Sequence, residues 1–397
     1  MKYLRILFMT FLASVLAACG GGGDSTTATS AKGTISVQLT DAPATPEYRE
    51  VWVTVEKVRV HMSDAAGEGD SGWEEIVVDP PRKIDLLTLR NGILADLGQV
   101  EVPVGQYHQF RLVLGSGPND NELVLADGTV EALKTPSGQT SGLKLNAKPF
   151  TVEEGQLLEL VIDFDAARSI VKSGNSGKYN LKPVVRVIPV LDAGAVAGSF
   201  VDPAAAADAS VSLQVYDAAT GNVTVLRSTT PANGVWKLAP VEEGSAYNLV
   251  VAKPGYRTVV ITNVPVVAGE IAQIDPIELV AVAGDGSTRR VAAGAVSPAE
   301  AALVRALQKV RGDVAAMADG DVVVEVAFAN ALADTGDFAF DLNVEPALVG
   351  DPGTVLADGD NAGMFTFVAS GDAGTGEVPN VDLNPGDVLD LSIVLAP

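Results

Sequence analysis

The chain has 397 residues, room for two or three domains, and carries 50 acidic against 27 basic side chains. Its net charge of −23 argues against nucleic acid and anionic head groups as partners, and suits a solvated exported protein or one that meets cations. One cysteine and two histidines (His61 and His108) exclude a disulfide framework and nearly exclude a histidine triad or a multi-histidine metal site.

Lys2 and Arg5 open the chain, and an apolar run from Ile6 ends in Leu16-Ala17-Ala18-Cys19. This pattern predicts a lipoprotein signal peptide over 1–18, cut before Cys19, with the Cys19 thiol as the lipidated atom. Cleavage would remove Lys2 and Arg5 and no acid, taking the net charge to −25. Several acyl chains hold a protein on a membrane where one does not. The expected address is the outer membrane, anchored through the N-terminal lipid and facing the periplasm or the cell surface. The glycine-rich stretch that follows predicts a flexible tether over 19–33.

Valine alternating with polar residues, and frequent Gly and Pro, predict an all-β chain of tandem β-sandwich modules, immunoglobulin-like or transthyretin-like. The first module is expected over 34–192. Strands are predicted at Thr34–Leu39, Val51–His61, Tyr107–Leu114, Leu157–Phe164 and Leu181–Ile188. The apolar phase slips near Glu56-Lys57 and predicts a bulge there.

Several motifs fall in order along this stretch: Leu39-Thr40-Asp41-Ala42-Pro43, Ile84-Asp85-Leu86-Leu87-Thr88-Leu89, Gly105-Gln106-Tyr107, Asp163-Phe164-Asp165-Ala166-Ala167-Arg168-Ser169-Ile170-Val171 and Leu181-Lys182-Pro183-Val184. With them the segment resembles a bacterial lipoprotein domain family of unknown function. The resemblance implies an exported β-rich domain and no known reaction.

The segment 193–282 resembles a carboxypeptidase regulatory-like repeat, a small transthyretin-like sandwich. The residues that carry this are Val196-Ala197-Gly198, Ala209 to Tyr216, Asn233-Gly234-Val235-Trp236, Ala246 to Val251 and Lys253-Pro254-Gly255-Tyr256. Asn233-Gly234 also predicts a tight turn with positive φ. Residues 283–397 resemble a degenerate copy of the same module. Val266 to Ile274 matches Leu383 to Leu391, Leu213-Gln214 matches Leu307-Gln308, and Gly336-Asp337-Phe338 stands where Gly234-Val235-Trp236 stands. Over 298–310 two signals conflict. Ser297-Pro298-Ala299-Glu300 is a capping box that favours a helix, and the internal repeat favours a strand. The strand is expected, because tertiary context overrides propensity.

The sharpest chemical cluster is Asp163, Asp165, Arg168 and Ser169. Asp163 and Asp165 lie two apart on a strand and so share a face, and Asp41 ends an early strand that could meet them. Three carboxylates could hold Ca²⁺ through oxygen ligands. The plainer alternative is that the two later acids cap a turn and pair with Arg168. Asp358 to Gly363 begins like a calcium loop but has Ala362 where a ligand is needed. Glu153-Glu154 and Glu242-Glu243 are adjacent acids expected in turns. Trp52, Trp73 and Trp236 are expected in cores more than on a sugar-stacking platform, and Ser116 lacks a nucleophile-elbow pattern. No motif carries an enzyme signature. The expected role is non-catalytic binding or scaffolding in the cell envelope, with a glycan or an envelope protein as ligand and no cofactor beyond Ca²⁺. A polysaccharide-related hydrolase using paired carboxylates is the rival.

Overall fold

A computed structural model describes residues 31–41, 48–135, 141–173, 178–182, 184–283, 288–310 and 322–397. Cys19, the signal peptide, most of the tether, Ala42-Pro43 and Pro183 lie outside the described residues. The fold is all-β and arranged as tandem β-sandwich units. Among the described residues no helix is long and apolar enough to cross a membrane.

The alternation at Thr34–Leu39 forms the strand Lys32–Asp41, which turns Ile35, Val37 and Leu39 fully into the core. It pairs parallel with Leu157–Phe164 and antiparallel with Ala95–Pro103. The strand Tyr48–His61 shifts register between Val55 and Lys57 against two neighbours, so the phase slip at Glu56 is a bulge. Twelve strands between Lys32 and Pro189 join one sheet around one core, whose largest members include Tyr107, Phe110, Leu160 and Phe164.

Two predicted strands are each divided. Tyr107–Leu114 becomes Gly105–Tyr107 and Gln109–Leu114. Leu181–Ile188 becomes the end of Lys178–Leu181 and most of Val185–Pro189, which pair with different neighbours. The division at 182–184 has a local cause. The Lys182 N–H donates to the Ser169 carbonyl at 2.7 Å, and the Val184 N–H donates to Ser169 Oγ at 2.8 Å. These bonds draw the chain off the sheet and onto the turn that carries Arg168.

The second and third units share one strand plan. In the second, Ala193–Ser199 lies between Val235–Glu242, antiparallel, and Ile271–Gln273, parallel. In the third, Arg289–Ser297 lies between Asp337–Asn343, antiparallel, and Val388–Val394, parallel. The facing sheets run in the order Asn222–Thr229, Ser210–Asp217, Gly244–Ala252, Val259–Val266 and, in the other unit, Val322–Asn330, Leu303–Val310, Met364–Gly371, Gly374–Asp382. Asn233 and Gly234 take φ of 52° and 75°, and Gly336 takes 74°, before Trp236 and Phe338 turn into their cores. Each ring sits opposite a glycine, Trp236 across from Gly198 and Phe338 across from Gly294. A Cβ on Gly198 would lie 2.5 Å from the Trp236 ring, so the aromatic occupies the space a side chain would need.

One detail of the repeat is corrected. Register shifts between Leu213 and Gln214 in one unit and between Ala306 and Leu307 in the other. By the bulge, Leu213 corresponds to Ala306 and Gln214 to Leu307, one residue away from the match read in the sequence. Core membership agrees, since Leu213 and Ala306 both face their own cores. A one-residue slip exchanges the two faces of a strand.

Residues 303–310 form a strand. The capping box does not form, because the Glu300 carboxylate accepts from the Ala373 N–H at 3.0 Å. The third unit also lends a strand to the second. Leu348–Gly350 pairs parallel with Val259–Val266, and Val250 and Val260 share a small core with Val310, Val324, Ala347 and Val349.

Candidate functional site

The motif from Asp163 to Val171 ends one strand, makes one helical turn (Ala166–Ser169) and begins another strand. Asp165 is the N-cap, and its Oδ1 accepts from the Arg168 N–H at 3.0 Å. Asp41 Oδ1 accepts from the Ala166 N–H at 3.0 Å. Two carboxylates therefore serve the N–H groups that a helical turn leaves unbonded. Ser169 Oγ donates to the Asp165 carbonyl at 2.5 Å and closes the turn.

Asp163 points elsewhere. In the sheet, Thr40 pairs with Asp163 and Asp41 with Phe164, whose side chain is in the core. Neighbours in one row share a face, so Asp41 lies on the core side and Asp163 on the opposite side. There Asp163 pairs with Arg227 of the second unit, and both are nearly fully buried. Arg168 bridges outward as well. Its Nε pairs with Asp165 at 3.0 Å, its Nη1 donates to Glu325 of the third unit at 3.2 Å, and its Nη2 meets the other oxygen of Glu325. Arg305 pairs with Glu325 and donates from Nη2 to the Val223 carbonyl at 2.7 Å. The Arg168 guanidinium also stacks on Phe328, 4.3 Å from the ring centroid.

The result is a charged seam where the three units meet: Asp165, Arg168, Glu325 and Arg305 in one chain of pairs, and Asp163 with Arg227 in another. Beside it, Gln214 on the second unit donates to the Glu325 carbonyl and accepts from the Glu325 N–H, both at 2.8 Å. A side-chain amide here takes the place of a neighbouring strand at the edge strand Val322–Asn330. Between the first and second units, Asn91 accepts from Thr229 Oγ1 at 3.1 Å and donates to the Thr230 carbonyl at 3.1 Å.

Burial raises the Asp165 carboxyl to about 6, against the opposing pull of Arg168. Burial also raises the Glu325 carboxyl, but Arg168 and Arg305 outweigh it and hold that group below its ordinary value.

The cation site expected at Asp41, Asp163 and Asp165 is corrected on these contacts. Asp41 and Asp163 face opposite sides of the sheet, and guanidinium groups stand where a cation would. Among the described residues no group of three or more His, Cys, Asp or Glu side chains could hold a metal ion. Arg168 does pair with Asp165, but Asp163 takes a different partner, and Glu325, Arg227 and Arg305 join the seam from outside the sequence motif. One signal for them lies in Val322-Val323-Val324-Glu325-Val326-Ala327-Phe328, where a lone acid interrupts an apolar strand. Such an acid needs a buried partner.

The other candidates are dispersed. Asp358 pairs with Arg257 at 2.6 Å. Glu153 and Glu154 are exposed beside a turn at Gly155. Trp236 is in the second core, Trp52 donates to Glu50 at 2.6 Å, and Trp73 lies beneath Arg59 and Arg111.

Residues 32–183 match a family model described as Domain of unknown function (DUF4382), in agreement with the uncharacterised domain expected there. No curated protein matches the chain. Among solved structures, a leucine-rich repeat protein from Bacteroides thetaiotaomicron is 14% identical, with 64% of this chain and 27% of that one covered and a TM-score of 0.17. The major pilin subunit BcpA of Bacillus cereus is 10% identical, with 92% and 99% covered and a TM-score of 0.15. The pilus adhesin SpaC of Lactobacillus rhamnosus GG is 9% identical, with 92% and 43% covered and a TM-score of 0.15. The chain thus spans about a quarter of the leucine-rich repeat protein's length.

Proposed function

We propose that this is a lipid-anchored protein of the cell envelope with a non-catalytic binding or scaffolding role, tethered to the outer membrane through Cys19. The observation that carries the scaffolding reading is the charged seam. Asp163, Arg168 and Glu325, among the groups most suited to chemistry by residue type, each pair with another unit, and Asp165 holds Arg168 from within its own. The run Leu16-Ala17-Ala18-Cys19-Gly20 supports the address. The shared strand plan supports a reading of 193–282 and 283–397 as two carboxypeptidase regulatory-like sandwiches. Anchored in this way, the three units form a rigid platform that presents a glycan- or protein-binding surface beyond the membrane.

The anchor is tested by Cys19→Ala in the native host. Wild type is expected to pellet with outer membranes and to take up labelled palmitate, and the variant to do neither. A variant that still fractionates with membranes and takes up label would contradict the anchor.

A further inference from the structure

We propose that the cleft where the three units meet binds a small oxyanion, of carboxylate or sulfate size, on the guanidinium of Arg186. The cleft has a volume of about 230 Å³ and is lined from all three units, with Arg186 from the first, Arg227 and Ser228 from the second and Arg305 from the third. Pockets for drug-sized ligands run from roughly 300 to 1,000 Å³, so this one suits a small acid and not a sugar chain.

The charge balance points to an anion. Asp163 neutralises Arg227. Asp165 and Glu325 together neutralise Arg168 and Arg305. Arg186 is left over. Asp163, cross-strand from it, and Asp165 also line the cleft and act on its charge, but Asp163 is shared with Arg227 and Asp165 with Arg168, so the cations still outnumber the acids by one. Among the described residues Arg186 makes no ion pair and no side-chain hydrogen bond, although it is only partly exposed. Nearby, Arg227 is 4% exposed and its Nε has no hydrogen-bond partner. Guanidinium stays charged at every physiological pH and presents a planar fork that matches a carboxylate or sulfate. A net positive charge held out of bulk water is costly unless a counter-ion answers it. The mouth is open to such a ligand, since Thr224 and Ser370 on the cleft lining are exposed. A site of this kind goes beyond a scaffolding role and does not depend on the lipid anchor. Its occupant would touch all three units and strengthen their union.

Thermal melts of the full chain at fixed ionic strength, with chloride replaced stepwise by acetate, succinate or sulfate, test the site. At least one anion should raise the midpoint in a saturable way. Arg186→Gln should abolish that rise and, by removing an unanswered charge, leave the midpoint in chloride no lower than that of wild type, and Arg186→Lys should keep part of the rise. Succinate and acetate acting without sulfate would assign a carboxylate, and sulfate acting as well would assign a general oxyanion site. Should Arg186→Gln not fold, Arg186→Met, which keeps the aliphatic stem and removes the charge, decides in the same way. No saturable rise with any of the three, or an equal rise in the uncharged variant, would overturn the proposal.

Discussion

The second and third units have the same strand order and the same aromatic-over-glycine pairing, yet they differ where they face their neighbours. At the position after the shared bulge, the second unit has Gln214 and the third has Leu307. Gln214 grips the backbone of Glu325, whereas Leu307 offers no donor or acceptor with which to hold a strand. On the neighbouring edge strand the third unit has Glu325, held between two arginines. What is common to the copies builds the sandwich, and what differs builds the assembly. Apolar alternation and a glycine opposite a ring are enough for the fold, while union of the units rests on a few polar residues with buried partners.

Removing Glu325 should cut deepest. Glu325→Ala leaves Arg168 without one of its two acids and Arg305 without its carboxylate, and breaking a buried pair on one side costs about 3–5 kcal/mol. Denaturant unfolding of the full chain should show a loss of that order. A loss below about 1 kcal/mol, the range of exposed pairs, would place the seam's charges effectively in solvent.

Gln214→Ala is a smaller cut. It strands the Glu325 N–H and carbonyl and should cost about 1–3 kcal/mol, as for other buried groups left unsatisfied. Leu307→Ala, at the equivalent position, should leave the coupling between units unchanged, because no hydrogen bond to a neighbouring unit is lost. Equal loss of coupling in both variants would erase the distinction between the copies.

The smallest effect concerns pH. Asp165 is raised from its ordinary 3.8 to about 6 in the folded chain, mainly by burial. A carboxyl that holds its proton more tightly when folded favours folding below pH 3.8, and that contribution is lost as pH rises through about 6. Glu325 runs the other way, because its folded value is depressed. Its contribution is present above 4.5 and is lost as pH falls. Asp165→Asn keeps a cap and removes the first of these, so melts of the variant should gain more midpoint than wild type between about pH 4 and 6. Identical slopes would mean that Asp165 does not titrate in this window.

Much of the fold is legible in the sequence because burial on one face of a strand imposes a period of two. Thr34–Leu39 and the slip at Glu56 are read from that pattern alone, and the turn at Asn233-Gly234 from the positive φ that this dipeptide favours. The seam is less legible. Asp163 and Asp165 look like a pair because they stand two apart on a strand, but the strand ends at Phe164 and Asp165 becomes a helix cap. Arg227, which pairs with Asp163, and Glu325, which pairs with Arg168 and Arg305, lie far along the chain on the second and third units, and no local period reports a contact between modules. The one-residue error in matching Leu213-Gln214 to Leu307-Gln308 has a related cause. Identical letters align, but the bulge that decides which face they occupy is a property of strand pairing.

Buried ion pairs between units should make the three sandwiches one cooperative body. Scanning calorimetry of the full chain tests it most directly. The wild-type chain should show a single transition whose calorimetric and van't Hoff enthalpies agree, and Glu325→Ala should divide it into separate transitions. Three resolved transitions in the wild-type chain, unmoved by Glu325→Ala, would contradict it.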